Sequence, residues 1–538
     1  MPRVAFGRPS PGSALGFPSA RREAVPLVDF GSFRFPLPVV DREPGSGEES
    51  RRCSDPGGDP LRFAILGAGM SGILSAIKLR AAGFDDFTIY EKSDRIGGTW
   101  RENTYPGIAC DVPSHLYSYS FEPNPEWSHR FSPGSEIQAY FEGVARRHGV
   151  TPRICFGAEV VSGEFSGGRW HLETKDGRRD DVDVVIAATG VLHHPNIPSI
   201  EGLDRFGGAL FHSARWDHAV KLEGRRVGVV GTGSTAVQIV SAIVDRVAKL
   251  SLFQRTAQWI MPQENPAYSE AHRAEFRRRP EKLHQLRADT AQLFAAFSNG
   301  LVDMNSPQMK MIEDACRANL EQNVRDPVLR EKLRPNYRAA CKRLVMSFDF
   351  YPALQKPNAE LVTEGIERVE LDGVRTRDGR LHELDVLVLA TGFRVDRFMR
   401  PMQVIGREGL RLDTVWAQRP SAYLSISIPG FPNLFMLNGP NGPVGNFSLI
   451  EVAELQIGYV MQLVELLRAG RCREISPSTE ATQRFETERT EAARKTIWSS
   501  GCRSWYLDDR GVPMSWPWTF DRFREEMAAP KLEAYELS

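Results

Sequence analysis

The order of apolar and polar residues along the chain predicts short buried strands that alternate with helices. The apolar run Phe63 to Leu66 predicts a buried strand, and apolar positions from Ile73 to Leu79 recur with helical spacing until Gly83. A second apolar run, Phe87 to Tyr90, predicts the next strand. Strands that alternate with helices in this way are typical of an α/β fold with a parallel sheet.

The turn between the first strand and its helix carries three glycines, Gly67, Gly69 and Gly72. Gly67 permits a tight turn, Gly69 lets the backbone approach a phosphate, and Gly72 lets the helix pack closely on the strand. The N-terminus of the helix also offers free N–H groups. Glu91, which lies 19 residues after Gly72, can accept hydrogen bonds from a ribose hydroxyl. This stretch therefore predicts a binding site for a dinucleotide.

The same order of elements recurs farther along the chain. A strand over Arg226 to Val230 leads into the turn Gly231-x-Gly233-x-x-Ala236, and a helix is predicted from Val237 to Val244. The run Leu250 to Phe253 predicts the strand that follows. The chain thus contains two dinucleotide-binding units.

The two units differ in the charge that follows their second strand. Arg255 lies 19 residues after Ala236, which is the spacing between Gly72 and Glu91 in the first unit. An acid at this place suits a free ribose 2′-hydroxyl, whereas an arginine suits a 2′-phosphate. We therefore predict FAD in the first unit and NADPH in the second. The alternative for Arg255 is a surface arginine without a ligand.

Composition excludes several classes of protein. Lys+Arg and Asp+Glu are both 68 among 538 residues, so the net charge of zero favours neither nucleic acid nor an anionic membrane as a partner. No run of 18 apolar residues predicts a spanning helix. The seven cysteines form no C-x-x-C pair, which indicates neither a metal site nor a local redox motif. Dispersed free thiols predict a cytoplasmic protein.

One further motif carries a resemblance to a known family. Phe206, Gly208, His212, Trp216 and Asp217 match the pattern F-x-G-x-x-x-H-x-x-x-W-[P/D] at every fixed position, between the two glycine turns. Over residues 61–538 the sequence resembles the Baeyer–Villiger monooxygenases, a branch of the flavoprotein monooxygenases with two dinucleotide-binding domains. The related enzymes that oxidise amines and sulfides usually end this pattern with tyrosine and a basic residue.

The resemblance implies roles for particular residues. It implies that Arg343 acts at the flavin face with Asp111 as its carboxylate partner, and it implies no metal ligand. The residues that it places around FAD are Glu91, Thr99, Trp100, Asp111 and Tyr117, beside the glycines of the first turn. Those that it places around NADPH are Thr232, Gly233, Ser234, Thr235, Gln238, Arg255, Thr256 and Lys342. Ala236 departs from the third glycine of the pattern, which alanine can replace.

The resemblance also implies a reaction. NADPH and O2 would be used to insert one oxygen next to the carbonyl of a small-molecule ketone through a C4a-peroxyflavin, giving an ester or lactone. The alternatives are oxygenation of sulfur or nitrogen by the same cofactors, and an NADPH oxidase. The enzyme would be a monomer or a weak homo-oligomer. The sequence does not distinguish linear, cyclic, aryl and steroid ketones.

The sequence predicts an α/β fold with two Rossmann-like domains, for FAD and NADP, and a helical insertion. Within the insertion, helices are predicted over 281–296 and 328–343, and farther on a strand is predicted over 423–428. Two near copies of one strand and turn, 183–190 and 385–392, indicate where the chain crosses between the domains. The predicted division is a disordered tail over 1–60, an FAD-binding domain over 61–200 and 386–538, an NADP-binding domain over 201–263 and 341–385, and the insertion over 264–340.

Overall fold

The computed structural model describes residues 60–538, apart from 444 and 446. The chain divides into two units, Met1–Gly57 and Gly58–Ser538, and the description that follows concerns the second unit. The predicted disordered tail lies outside the described residues except for its last position.

Helices and strands alternate along most of the described chain. The helices are α1 (Met70–Ala81), α2 (Thr99–Glu102), α3 (Gly134–Arg147), α4 (Ser234–Ile243), α5 (Glu270–Arg278), α6 (Pro280–Asn299), α7 (Pro307–Asn323), α8 (Pro327–Lys332), α9 (Phe350–Leu354), α10 (Leu412–Val415), α11 (Leu449–Arg468), α12 (Thr479–Ala493) and α13 (Phe520–Ala528). The strands are β1 (Phe63–Leu66), β2 (Phe87–Glu91), β3 (Ile154–Phe156), β4 (Val160–Ser166), β5 (Arg169–Thr174), β6 (Arg179–Val182), β7 (Val184–Ala187), β8 (Ala209–His212), β9 (Arg226–Val230), β10 (Lys249–Phe253), β11 (Ile260–Met261), β12 (Val345–Met346), β13 (Ala359–Val362), β14 (Ile366–Glu370), β15 (Gly373–Thr376), β16 (Leu381–Glu383), β17 (Val386–Leu389), β18 (Gln403–Ile405), β19 (Leu434–Met436), β20 (Ile475–Pro477) and β21 (Tyr535–Leu537).

The first sheet has the strand order β19-β7-β1-β2-β3, and every pairing in it is parallel. Phe63 of β1 is in register with Phe87 on one side and with Val184 on the other. All four residues of β1 are buried, because helices α1, α3 and α11 contribute to the apolar core beside it. Burial on both faces explains why the strand is a continuous apolar run rather than an alternating one.

The second sheet has the order β13-β10-β9-β17-β8 and is also parallel throughout. Val227 and Val229 of β9 pack against Val237 and Val240 of α4 in a separate apolar core. The two sheets confirm the predicted α/β fold with two Rossmann-like units.

The chain crosses between the sheets at the two places that the sequence predicts. It leaves the first sheet after β7 to form β8, and it leaves the second sheet after β17 to form β19. β17, Val386–Leu389, pairs with β8 and β9. The second domain therefore continues past Leu389, whereas the sequence divides the chain at 385/386.

Two predicted elements outside the sheets are wrong. The helix predicted over 328–343 ends at Lys332, because Pro335 lacks an N–H and disfavours helical geometry in the residue before it. The strand predicted over 423–428 is a turn, in which Leu424 and Ser425 have positive φ angles of 50° and 66°. Residues 264–340 otherwise hold the helices α5 to α8 and no strand.

Two of the cysteines are joined. Cys341 and Cys502 form a disulfide with Cα atoms 6.1 Å apart, although 161 residues separate them. The prediction of dispersed free thiols is therefore wrong for this pair, since no local spacing reveals a partner so far along the chain. The remaining described cysteines are free, namely Cys110, Cys155, Cys316 and Cys472.

Searches for a membrane span and for a metal cluster give negative results within the described residues. No helix there is long and apolar enough to cross a membrane. In the same part of the chain, His, Cys, Asp and Glu side chains form no group that could hold a metal ion.

Candidate active site

A cavity of about 1360 Å³ lies at the carboxyl ends of strands from both sheets. Open α/β sheets bind their ligands at this edge. The lining of the cavity contains every predicted site residue except Gly72. The fold therefore brings together residues that are as much as 276 positions apart in sequence, Gly67 and Arg343 among them.

The first glycine turn has almost no room for side chains. Gly67 has a φ of +104°, and a Cβ there would lie 2.7 Å from the carbonyl oxygen of Ala188. A Cβ on Gly72 would lie 1.9 Å from the carbonyl oxygen of Gly67. Gly69 precedes α1, and its side of the helix N-terminus has no side-chain cap. The N–H groups at this end are therefore available to a ligand in the cavity.

Glu91 closes the first turn from the end of β2. Its Oε2 accepts a hydrogen bond from the N–H of Ala68 at 2.8 Å, and its Oε1 accepts one from Ser93 at 2.9 Å. These bonds hold the buried carboxylate at the cavity edge, and each oxygen keeps a lone pair that a ribose hydroxyl could use.

A second pair of glycines faces the first turn. Gly98 has a φ of +54°, and a Cβ there would lie 3.2 Å from the Cα of Gly69. Thr99 begins α2, and Trp100 donates a hydrogen bond from Nε1 to the hydroxyl of Tyr117 at 3.2 Å. The Trp100 and Tyr117 rings meet edge to face, with centroids 5.6 Å apart. They form an aromatic wall that begins one residue from the glycine pair.

The second glycine turn repeats the shape of the first. Gly231 has a φ of +118°, and a Cβ there would lie 2.3 Å from the carbonyl oxygen of Ala390. A Cβ on Gly233 would meet nothing within 4 Å, so this turn opens into the cavity. Ala236 is fully buried where the first turn has its third glycine. Ser234 and Thr235 form the first residues of α4, whose N-cap makes no side-chain hydrogen bond.

Two polar side chains fix the second turn to its surroundings. Thr232 donates from Oγ1 to the carbonyl oxygen of Thr256 at 2.8 Å. Gln238 accepts a hydrogen bond from the hydroxyl of Tyr105 at 2.9 Å and donates one to the carbonyl oxygen of Ala109 at 3.0 Å. Gln238 thus joins α4 to the segment that leads to Asp111.

Two cations lie together beside the second turn. Arg255 is exposed and forms no ion pair with any acidic side chain in the described chain. Lys342 lies 4.7 Å from the centre of the Tyr337 ring, and burial, with the nearby charge of Arg255, lowers the pKa of Lys342. Two neighbouring cations without a carboxylate partner are an arrangement that suits a phosphate group.

Arg343 carries the main charge on the opposite side of the cavity. Its Nη2 donates to Oδ2 of Asp111 at 2.5 Å, and its Nη1 donates to the carbonyl oxygen of Gly445 at 3.3 Å. The carboxylate of Asp111 raises the pKa of Arg343 above its usual value, and a hydrogen bond to Tyr506 contributes. The guanidinium is therefore cationic and held by three acceptors.

His212, the histidine of the family pattern, lies at the crossing between the sheets and outside the cavity lining. Its Nδ1 accepts from the N–H of Ala214 at 3.1 Å, so its Nε2 carries the proton and donates to the carbonyl oxygen of Gly392 at 3.1 Å. Burial lowers the pKa of His212. The neutral ring thus ties the end of β8 to the second connection between the sheets.

The two connections between the sheets form a ribbon, which we define as residues 194–196 paired with 391–394. Asn196 donates its N–H to the carbonyl oxygen of Gly392 at 2.8 Å, and Arg394 donates to that of His194, also at 2.8 Å. Thr391 adds a side-chain bond from Oγ1 to the carbonyl oxygen of Asn196 at 2.6 Å.

Sequence reasoning missed several residues that line the cavity. It assigned Trp505 and Tyr506 to packing, because the aromatic C-terminal segment has no periodicity that marks a site. Both line the cavity near Arg343, as do Phe294 and Phe297 of α6. The amphipathic pattern of α6 could have indicated a wall but not which cavity it faces.

These residues fit the two cofactors that the sequence implies. Each glycine turn presents uncapped N–H groups at the start of a helix and lacks the Cβ atoms that would fill the approach. The first turn is accompanied by an acid and an aromatic wall, and the second by two cations. Glycine turn and acid suit FAD, whereas glycine turn and cations suit NADPH.

Comparison with known proteins places these features in context. Residues 61–270 match the family described as flavin-binding monooxygenase-like. A monooxygenase of Mycobacterium tuberculosis (strain H37Rv) is 50% identical over 476 residues, which cover 88% of this chain and 95% of the relative. A Baeyer–Villiger monooxygenase of Streptomyces coelicolor is 39% identical over 489 residues, covering 89% of this chain and 92% of the relative. The structure of an oxidised steroid monooxygenase bound to NADP superposes with a TM-score of 0.79 at 28% identity, covering 89% of this chain and 99% of the other.

Proposed function

The chain belongs to the Baeyer–Villiger branch of the flavin-binding monooxygenases, and from this premise we propose how its cavity carries out the reaction. The enzyme uses FAD, NADPH and O2 to insert one oxygen atom beside the carbonyl of a ketone, which gives an ester or a lactone. When bound, FAD supplies the activated oxygen after NADPH has reduced it.

The observation that carries the proposed mechanism is the pair of Arg343 and Asp111 inside the cavity. Attack on a ketone places negative charge on the carbonyl oxygen, and this charge needs a fixed cation. The Arg343 guanidinium stays protonated at any working pH and keeps N–H donors beyond those given to Asp111 and Gly445. Asp111 orients it through a charge-assisted hydrogen bond. We assign Arg343 and Asp111 to the reaction centre.

The two glycine turns divide the cofactors between them in this proposal. Gly67, Gly69, Glu91, Thr99 and Trp100 hold FAD, with the carboxylate of Glu91 directed to a ribose. Helix α1 keeps Gly72 against β1, so Gly72 acts by packing rather than by contact. Tyr117 supports Trp100 from behind.

On the NADPH side, the turn over 232–235 holds the pyrophosphate, and Gln238 fixes the helix that follows it. Arg255 and Lys342 neutralise the 2′-phosphate. Thr256 positions Thr232 through its carbonyl oxygen. The location in the cytoplasm and the monomeric or weakly associated state remain predictions.

Product mass tests the proposal. The FAD-loaded enzyme is incubated with NADPH, ¹⁸O2 and a panel of linear, cyclic, aryl and steroid ketones that includes one thioether. A ketone that gains one ¹⁸O as an ester or lactone supports the proposal. A labelled sulfoxide without any ester would instead indicate heteroatom oxygenation, and consumption of NADPH with only H2O2 formed would indicate an oxidase.

A further inference from the structure

The C-terminal aromatic segment approaches the reaction centre at one polar atom, the hydroxyl of Tyr506. Tyr506 is almost fully buried, and its hydroxyl forms a hydrogen bond with the guanidinium of Arg343. The same hydroxyl lies against Gly445, where an added Cβ would lie 2.2 Å from the Tyr506 oxygen. The residue thus touches both the cation and the backbone that binds it.

We propose that Tyr506 is a positioning residue for Arg343, and that the Cys341–Cys502 disulfide holds the Tyr506 segment against the Arg343 segment. This inference rests on the role proposed above for Arg343.

The three acceptors around Arg343 come from three separate parts of the chain. Asp111 belongs to the segment after α2, Gly445 to the loop before α11, and Tyr506 to the segment after α12. Three acceptors on different sides fix the plane of a guanidinium, whereas two leave it free to tilt about one edge. The hydroxyl of Tyr506 therefore decides where the remaining N–H groups of Arg343 point.

The disulfide connects the two segments close to these contacts. Cys341 lies two residues before Arg343, and Cys502 lies four residues before Tyr506. The backbone N–H of Cys502 also donates to the sulfur of Cys341 at 3.3 Å. Both cysteines are buried, so the link is shielded from solvent.

The Tyr506 ring is fixed on its other sides as well. It packs against the rings of Trp498 and Trp505, with centroid distances of 5.4 and 4.1 Å. Its carbonyl oxygen accepts a hydrogen bond from Met514 at 2.7 Å. A ring held in this way keeps its place when only the hydroxyl is removed, which makes Tyr506→Phe a clean test.

The first measurement is the coupling of the reaction in Tyr506→Phe. We expect the rate of flavin reduction by NADPH without O2 to stay within about twofold of wild type. The ester formed per NADPH should fall about tenfold, with H2O2 rising to match, which is the effect typical of losing a hydrogen bond to a charged group. Tyr459→Phe is the matched control, because it removes a buried hydroxyl that bonds only to Tyr535 at 3.0 Å. An unchanged yield of ester in Tyr506→Phe overturns the proposal, and so does an equal loss in the control.

The second measurement does not depend on activity. The melting temperatures of wild type, Tyr506→Phe, Arg343→Met and the double variant form a cycle. We expect Tyr506→Phe to lower the melting temperature in the presence of Arg343 and to have little further effect in Arg343→Met. An equal loss in both backgrounds overturns the proposal. Because melting requires no substrate, this result stands even if no ketone is oxidised.

The disulfide is tested separately. Denatured, alkylated protein is digested without reductant, and a peptide pair that contains Cys341 and Cys502 is expected. The variant Cys341→Ala/Cys502→Ala should show the same pattern as Tyr506→Phe, with flavin reduction retained and ester yield lowered. Full coupling in this variant, or the absence of the linked peptides, refutes the part assigned to the disulfide.

Discussion

Replacing Arg343 by alanine is the sharpest test of the reaction centre. The change removes the guanidinium that binds Asp111 at 2.5 Å and the carbonyl oxygen of Gly445 at 3.3 Å. It leaves the glycine turns and their neighbours intact. We therefore expect Arg343→Ala to bind both cofactors and to reduce its flavin with NADPH, but to form little ester.

The expected size of the loss follows from the charge that is removed. A guanidinium about 4 Å from a developing oxyanion gains about 4 kcal/mol at an effective dielectric constant of about 20. Removal of one such stabilising group typically costs about 2.7–4 kcal/mol, or a factor of about 10²–10³ in rate. Arg343 is about one-third exposed in the cavity, so we expect the lower half of this range.

The assay separates the two half-reactions. Anaerobic stopped-flow absorbance follows reduction of the flavin, and chromatography follows the ester formed in air. Arg338→Ala is the control, because this nearby arginine pairs with Glu313 and does not line the cavity. Arg343→Lys keeps the charge but loses the fork that reaches Asp111 and Gly445 together, and it should recover only part of the rate. Ester formation at the wild-type rate in Arg343→Ala would refute the role of this residue.

Two further predictions concern the cofactor charge and a buried histidine. Arg255→Ala should raise the KM for NADPH about ten- to a hundredfold with little change for NADH, because a charge-assisted bond to phosphate is worth about 1.5–3 kcal/mol; equal losses for both cofactors would argue against a 2′-phosphate contact, and Arg246→Ala, which removes an exposed arginine of the same domain, is the control. His115 is buried between Tyr268 and Phe276, and burial lowers its pKa to about 4. Since the unfolded chain binds this proton near pH 6.5, the free energy of unfolding should fall by about 3 kcal/mol more in wild type than in His115→Phe between pH 6.5 and 4. Parallel denaturation curves for these two proteins across that pH range would contradict this.

The features that sequence predicts best are those set by the backbone. The glycines at 67, 69, 231 and 233 are needed because a Cβ, or a less permissive φ, would block the turn or the approach to it, and this requirement is visible in the residue type alone. The strands beside them are continuous apolar runs, because both faces of each sheet are covered. Glu91 and Arg255 could be compared because the same spacing places each one after the second strand of its unit.

What sequence could not predict depends on contacts between distant segments. Tyr506 has the same local pattern whether it packs in a core or bonds to Arg343, which is 163 residues away. The Cys341–Cys502 link has no spacing rule for the same reason. The helix expected over 328–343 was wrong through a local signal that was given too little weight, since Pro335 stands in its middle.

The ribbon of residues 194–196 and 391–394 has a mechanical consequence. Two domains joined by one strand of chain can both swing and twist, but two connections bonded side by side behave as a leaf hinge. Such a hinge bends about one axis and resists torsion. We expect the two glycine turns to approach and separate along one fixed arc, so that a nicotinamide carried by one domain returns to the same place over the other in every cycle.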